Sequence, residues 1–196
     1  MILSDRQIRA ALASARFNIE PTPEENQFAP SAVDLHIGNV FRRWKSPKNG
    51  MQPLRLSELK IPDFANLMED LPREDDGSII LQPGAFILSQ TREKVVLPHD
   101  SQLAARVEGR SSFARLGLVV HMTAPTIHAG FEGKIVLEMM NFGPFPLIIS
   151  PNHTHICQLI FEELGMQPKC QISTTFQNQT TVLGEVAPEI SKADEK

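Results

Sequence analysis

The chain has 196 residues, 41% hydrophobic and 21% charged, proportions of an ordinary globular protein that exclude disordered and fibrous architectures. Its length fits one domain spanning residues 1–196 with a sizeable core. A formal charge of −4 speaks against a general nucleic-acid-binding surface, no apolar run approaches the roughly 18 residues of a membrane span, and the start MILSDRQIRA lacks a secretion-signal pattern, so no membrane partner and a cytoplasmic location are expected.

Fifteen prolines and eleven glycines leave little room for long helices and favour short strands joined by turns. The clearest helix runs from about residue 4 to residue 15, where Ser4 caps, Gln7 completes a capping box, and Ile8 and Leu12 share a face. Residues 20–30 are rich in proline and acid and read as a connection. SAVDLHIGNVFRRW then alternates like a strand, with Val33, Leu35 and Ile37 on one face. Residues 45–77 form a long excursion, interrupted by Pro47, Pro53, Pro62 and Pro72 and closing on an acidic run. Beyond it, SIIL, AFILSQ, EKVVL, LAARVEG, LGLVVHM, GKIVLEMMN, FPLIIS and HICQLIFEEL are short apolar runs bounded by turn residues, which predicts a mostly β sandwich or jelly roll. The tail, 165–196, lacks apolar periodicity, and its end is expected to be mobile.

The densest polar cluster beside strand signals is VEGRSSFARLG. Ser111 or Ser112 can cap a short helix whose apolar residues are Phe113 and Leu116 and whose exit is Gly117, leaving free backbone N–H groups at its start. With Arg110 and Arg115 beside it, that end suits a phosphate chain. The alternative is a capped turn carrying two solvated arginines. Downstream, Glu138 sits among Val136, Leu137, Met139 and Met140. Burial pushes a carboxylate's proton affinity up and a neighbouring arginine pushes it down, so such a position suits proton transfer. The alternative is an edge-strand glutamate facing water.

These segments resemble the dCTP deaminases, relatives of the trimeric dUTPases. ILSDRQI, SAVDLHIG, PGAFILSQTREKVVLP, GRSSFARLGLVVHMTA, GKIVLEMMN and ICQLIF each resemble the family pattern, in order. GRSS alone marks the wider superfamily; GRSSFARLG followed by HMTA and then LE is specific to the deaminase branch. The resemblance implies a distorted jelly roll of the dUTPase-like, β-clip kind with short helices. It also implies a homotrimer with interfacial sites and a dCTP substrate held with Mg²⁺ through its triphosphate, without zinc or any metal on a protein side chain. By the same resemblance Arg110, Ser111, Ser112 and Arg115 hold phosphates and organise the site, and Phe113 and Ala114 lie in the same nucleotide-binding segment. Val136, Leu137 and Glu138 line the pyrimidine and sugar, and Glu138 is the catalytic carboxylate. Gln158, Phe176 and Gln179 match residues near the nucleotide, the last two in a tail segment that closes over it. His121 either lines the pocket, as its match does in the family, or is a hydrogen-bonded core histidine; Ser111 and the backbone at Ala124 are implied to position the water, and Arg115 to hold Glu138 and Ser111. The implied reaction converts dCTP to dUTP and ammonia, feeding thymidylate synthesis. Relatives are often inhibited by dTTP, which makes it a candidate regulator.

Two departures stand out. The family commonly has aspartate in I-D-P-G-F or I-D-A-G-F, where this chain has His128, so pyrophosphatase activity is not expected and the product should be dUTP; histidine can still bond a 3′-hydroxyl. Thr175 stands where relatives carry a phosphate-contacting lysine, and Phe176 keeps the ring without a hydroxyl. Affinity then rests on the arginines and Mg²⁺, or on another subunit.

Other candidates are weaker. His153 and His155, two apart, would share a strand face as metal ligands, but no third ligand follows and PNHTHIC reads better as a turn leading into a strand. Cys157 and Cys170 form neither a C-x-x-C pair nor a disulfide framework. The H-x-E and P-C-x-x-C pattern of zinc deaminases is absent. Competing functions are a dUTPase-like or bifunctional pyrophosphatase, weakened by His128 and by the lack of tyrosine, and a catalytically silent nucleotide-binding regulator, opposed by the retention of Glu138.

Overall fold

The computed structural model describes residues 1–46, 53–58, 66–171 and 182. Helix α1 (Asp5–Ala13) starts at the predicted box: the Ser4 backbone N–H donates to Gln7 Oε1 at 2.9 Å. It buries Ile8 and Ala11 against the core and ends two residues before the expected limit, with Ala15 taking a positive φ of 54°.

The strands are β1 (Asn18–Glu20), β2 (Phe28–Ala29), β3 (Ala32–Trp44), β4 (Met68–Asp70), β5 (Ile79–Leu81), β6 (Phe86–Val96), β7 (Leu103–Gly109), β8 (Leu118–Val119), β9 (Thr126–Ile127), β10 (Glu132–Asn141), β11 (Leu147–Ile149) and β12 (His155–Glu163). The mostly β architecture expected from the strand spacing is what the chain adopts, with the distorted jelly roll that the resemblance implies. AFILSQ and EKVVL merge into the single strand β6, because the polar residues between them continue the ladder to β10. The connection at 20–30 contains β2, and the excursion at 45–77 contains β4, which pairs with the end of β3.

Strand order in the main sheet is β8-β10-β6-β3-β12-β7-β9. The long strand β3 serves two neighbours in succession. Its first half pairs with β12 (Leu35 with Cys157, Asp34 with Gln158), and its second half pairs with β6 (Ile37 with Thr91, then Phe41 with Ser89 after a bulge). Gly38 lies in that bulge, where a Cβ would stand 2.9 Å from the Gln90 carbonyl oxygen. Val33, Leu35 and Ile37 are fully buried with Phe17, Ile19, Leu137, Leu159 and Phe161 in one continuous core. Each such side chain contributes on the order of 1.5–3 kcal/mol by leaving water. No helix among the described residues is long and apolar enough to cross a membrane.

Candidate functional site

Strand β10 alternates strictly: Ile135, Leu137, Met139 and Asn141 are buried, while Val136, Glu138 and Met140 turn to the opposite face. Leu137 is fully buried in the core, so only its backbone can border a ligand; the two-residue period that presents Glu138 necessarily withdraws its neighbours.

Strand β8 pairs with β10 in the register Val119 with Met140. Continued two residues, that register brings His121 opposite Glu138, and His121 Nδ1 lies 3.2 Å from Glu138 Oε2. The imidazole is 7% exposed and the carboxylate 33%. The pair is close but misaligned, since neither atom makes a hydrogen bond. A partly solvent-open carboxylate with a buried imidazole at its back can pass a proton to a bound molecule, and the uncommitted oxygen leaves that proton free to move.

Between β7 and β8 lies α2 (Ser111–Ala114). Its cap is not a serine. Arg110 holds the extended N-cap position, without a side-chain capping bond, so Ser111 and Ser112 fall in the first turn. Both serines and Arg115 are exposed, whereas Phe113 is partly buried and packs on the core. The helix ends at Ala114, with Arg115 as its C-cap, earlier than the expected exit at Gly117; Gly117 closes the turn that follows, with φ of 91°. A Cβ there would stand 2.2 Å from the backbone nitrogen of Gly143, so the two glycines fix how close α2 lies to the end of β10.

Arg110 does not extend freely into solvent. Its Nη1 donates to Asp34 Oδ2 at 2.5 Å, while Gln158 Nε2 donates to Asp34 Oδ1 at 2.9 Å. The registers explain this: Asp34 on β3 faces Gln158 on β12, and Gln158 faces Glu108, two residues before Arg110. His155 Nδ1 lies 3.6 Å from Asp34 Oδ2, the oxygen that also accepts from Arg110, and its ring meets His36 edge-on at a centroid distance of 4.2 Å. His36 in turn touches the fully buried Glu93, Nδ1 to Oε1 at 2.7 Å, and its backbone N–H donates to Glu93 Oε2 at 2.9 Å. Burial, reinforced by His36, holds the His155 imidazole below its ordinary value, with Asp34 opposing.

Asp34, His36 and Glu93 were not singled out from the sequence. The available signal was the D-x-H pair alternating with Val33, Leu35 and Ile37, which puts polar side chains on the second face of an otherwise apolar strand. His153 lies in the turn before β12, so it does not share a strand face with His155. Cys157 is wholly buried, which pushes its thiol well up and leaves it inert; Cys170 is exposed, and neither forms a disulfide.

The site residues thus fall into two sets, Glu138 with His121 and Arg110 with Gln158. Among the described residues no hydrogen bond or ion pair joins the sets, and Arg115 makes no side-chain ion pair with Glu138. Ala124 and His128 are exposed on the segment after β8, anchored where Val107 N–H donates to the Pro125 carbonyl at 2.9 Å. Val136 is half-buried beside Leu88. Thr175, Phe176 and Gln179 lie outside the described residues.

The mostly β sheet order, with Glu138 on β10 and a serine–arginine turn after β7, defines a protein of the dUTPase-like fold class. The model of the family described as dCTP deaminase-like matches residues 2–164, and the chain belongs to that family. It is 37% identical over 195 residues to "dCTP deaminase, dUMP-forming" of Methanosphaera stadtmanae, covering 99% of this chain and 94% of that protein. It is 41% identical over 165 residues to "dCTP deaminase" of Rhodospirillum rubrum, covering 84% and 83%. Among solved structures, the 2′-deoxycytidine 5′-triphosphate deaminase from Agrobacterium tumefaciens shares the fold, with TM-score 0.59 at 23% identity over 82% of this chain. This chain spans about half of that one, 47%.

Proposed function

We propose that the chain, as a homotrimer, hydrolytically deaminates dCTP to dUTP and ammonia, with Glu138 moving the protons. The observation that carries this reading is the Glu138–His121 pair, 3.2 Å apart and uncommitted, on the outward face of β10. Water adds to C4 of cytosine as Glu138 takes its proton and passes it to N3; Glu138 then carries the proton of the new C4 hydroxyl to the amine, and the C4–N bond breaks to leave the C4 carbonyl and ammonia. Every proton can pass through one carboxylate, so the chemistry calls for no hydroxide made on zinc. Ser111 and the backbone at Ala124 would position the water, and Arg115 would act across the assembly.

Arg110 and Gln158 present N–H donors, which suit phosphate oxygens and not a cation, so Mg²⁺ would be held through the triphosphate. Trimerisation is supported by the separation of the two residue sets within one chain and by exposed apolar side chains around α2 and the end of β10. Leu116 is 46% exposed, Met122 47% and Phe142 64%, surface that a second subunit would cover.

His128 in place of an acidic residue supports dUTP as the product. A second reading, dUMP with pyrophosphate, is favoured by the names of relatives such as the Methanosphaera protein. Incubation with dCTP and Mg²⁺, with ammonia and pyrophosphate measured together, separates the two. Ammonia alone is expected. Equal ammonia and pyrophosphate would establish the dUMP reading, and binding without ammonia would overturn both.

A further inference from the structure

We propose that Asp34 is the positioning residue that fixes Arg110 and Gln158 as one rigid donor row for the nucleotide's triphosphate. This rests on the functional reading above for the identity of the ligand, although the row itself is defined by contacts within one chain.

Three adjacent strands build it. Asp34 on β3, Gln158 on β12 and Arg110 just beyond β7 are brought side by side by their registers, and both oxygens of one carboxylate are used, Oδ2 by Arg110 and Oδ1 by Gln158. The side chain of Asp34 is only 9% exposed, whereas that of Arg110 is 32% exposed. The carboxylate is therefore an internal anchor, and the guanidinium keeps an open edge with N–H groups to spare. A free arginine loses rotamer freedom when it binds an anion. Arg110, held by Asp34, has surrendered that freedom before the ligand arrives. The surroundings are arranged to keep Asp34 in place: His155 approaches Oδ2 at 3.6 Å, and Gln27 Nε2 donates to the Asp34 carbonyl at 2.8 Å.

The test uses the full chain and three probes: dCTP in steady-state turnover, and inorganic triphosphate and deoxycytidine in calorimetric binding. Asp34→Asn keeps the side-chain shape but weakens a charge-assisted bond, and should raise KM for dCTP and weaken triphosphate binding by about tenfold, with kcat changed less than about threefold. Deoxycytidine, which has no phosphate, should bind the variant and the wild type alike. In an Arg110→Gln background the same substitution should have less than about a threefold effect, because the partner it positions is gone. A fall in kcat at constant KM, equal weakening of deoxycytidine, or full additivity with Arg110→Gln would each overturn the proposal. Should Asp34→Asn fail to fold, Gln158→Met probes the other end of the row; undiminished triphosphate binding there would overturn it as well. Failure of the functional reading shows separately, as wild-type protein that binds triphosphate through the row but releases no ammonia from dCTP.

Discussion

Replacing Gly117 by alanine places a methyl group where the backbone of Gly143 already lies. The new Cβ would stand 2.2 Å from the Gly143 nitrogen and 2.5 Å from its Cα, and the residue would have to hold φ of 91°. The left-handed conformation costs about 1–2 kcal/mol for a residue with a Cβ. Overpacking against backbone, which cannot rotate away as a flexible side chain can, adds about 1–3 kcal/mol. The sum, about 2–5 kcal/mol, is expected in urea unfolding at fixed chain concentration, with the melting temperature lowered by about 10 °C. Gly165→Ala is the control: nothing lies within 4 Å of a Cβ there, and it should stay within about 0.5 kcal/mol of wild type. The chain can relieve the Gly117 clash only by moving the α2 exit away from β10, so ammonia release should fall even at temperatures where the variant is folded. If Gly117→Ala matched Gly165→Ala in stability and activity, the argument that this close approach sets the position of α2 would be wrong.

Glu138→Gln preserves shape but cannot shuttle protons; ammonia release should fall by about 10²–10⁴-fold while dCTP binding, followed by calorimetry, changes little, and turnover near the wild-type rate would remove Glu138 from the mechanism. His128→Asp should add pyrophosphate release to ammonia release, at least about tenfold above background in a coupled phosphate assay; none would sink the reasoning from position 128. Because His155 is held below its ordinary value of 6.5, the unfolded chain takes up a proton that the folded chain resists as the pH falls below that value. Stability should therefore be level above it and decline from about pH 6.5 towards the folded value, and His155→Gln should flatten the decline in urea melts at pH 7.5 and 5.5.

The segments legible in the sequence were those whose periodicity or capping was set locally. The Ser4–Gln7 box, the alternation of β3 and the glycine turn at 117 needed only near neighbours. Pairing was not legible. That two predicted runs are one strand, β6, depends on β10 lying alongside, and that Arg110 rather than a serine caps α2 depends on how β7 delivers the chain. Glu138 could be found because a carboxylate among apolar neighbours is conspicuous. That His121 stands opposite it could not, because the β8–β10 register that opposes them is long-range. Asp34 escaped for the same reason: its significance lies in two strands distant in sequence, and one acidic residue in an alternating strand is unremarkable by itself.

Strand β3 hydrogen-bonds to β12 through its first half and to β6 through its second, with the bulge at Gly38 between. The anion row hangs from the first half, and Glu138 is one strand beyond the second, opposite Leu88 on β6. The bulge is therefore a fixed spacer within each protomer: a two-residue slip in either ladder would displace Asp34, Arg110 and Gln158 relative to Glu138 by about 7 Å. Insertions are easily absorbed in connecting loops, but one added residue between Ile37 and Phe41 would shift one half of the sheet against the other.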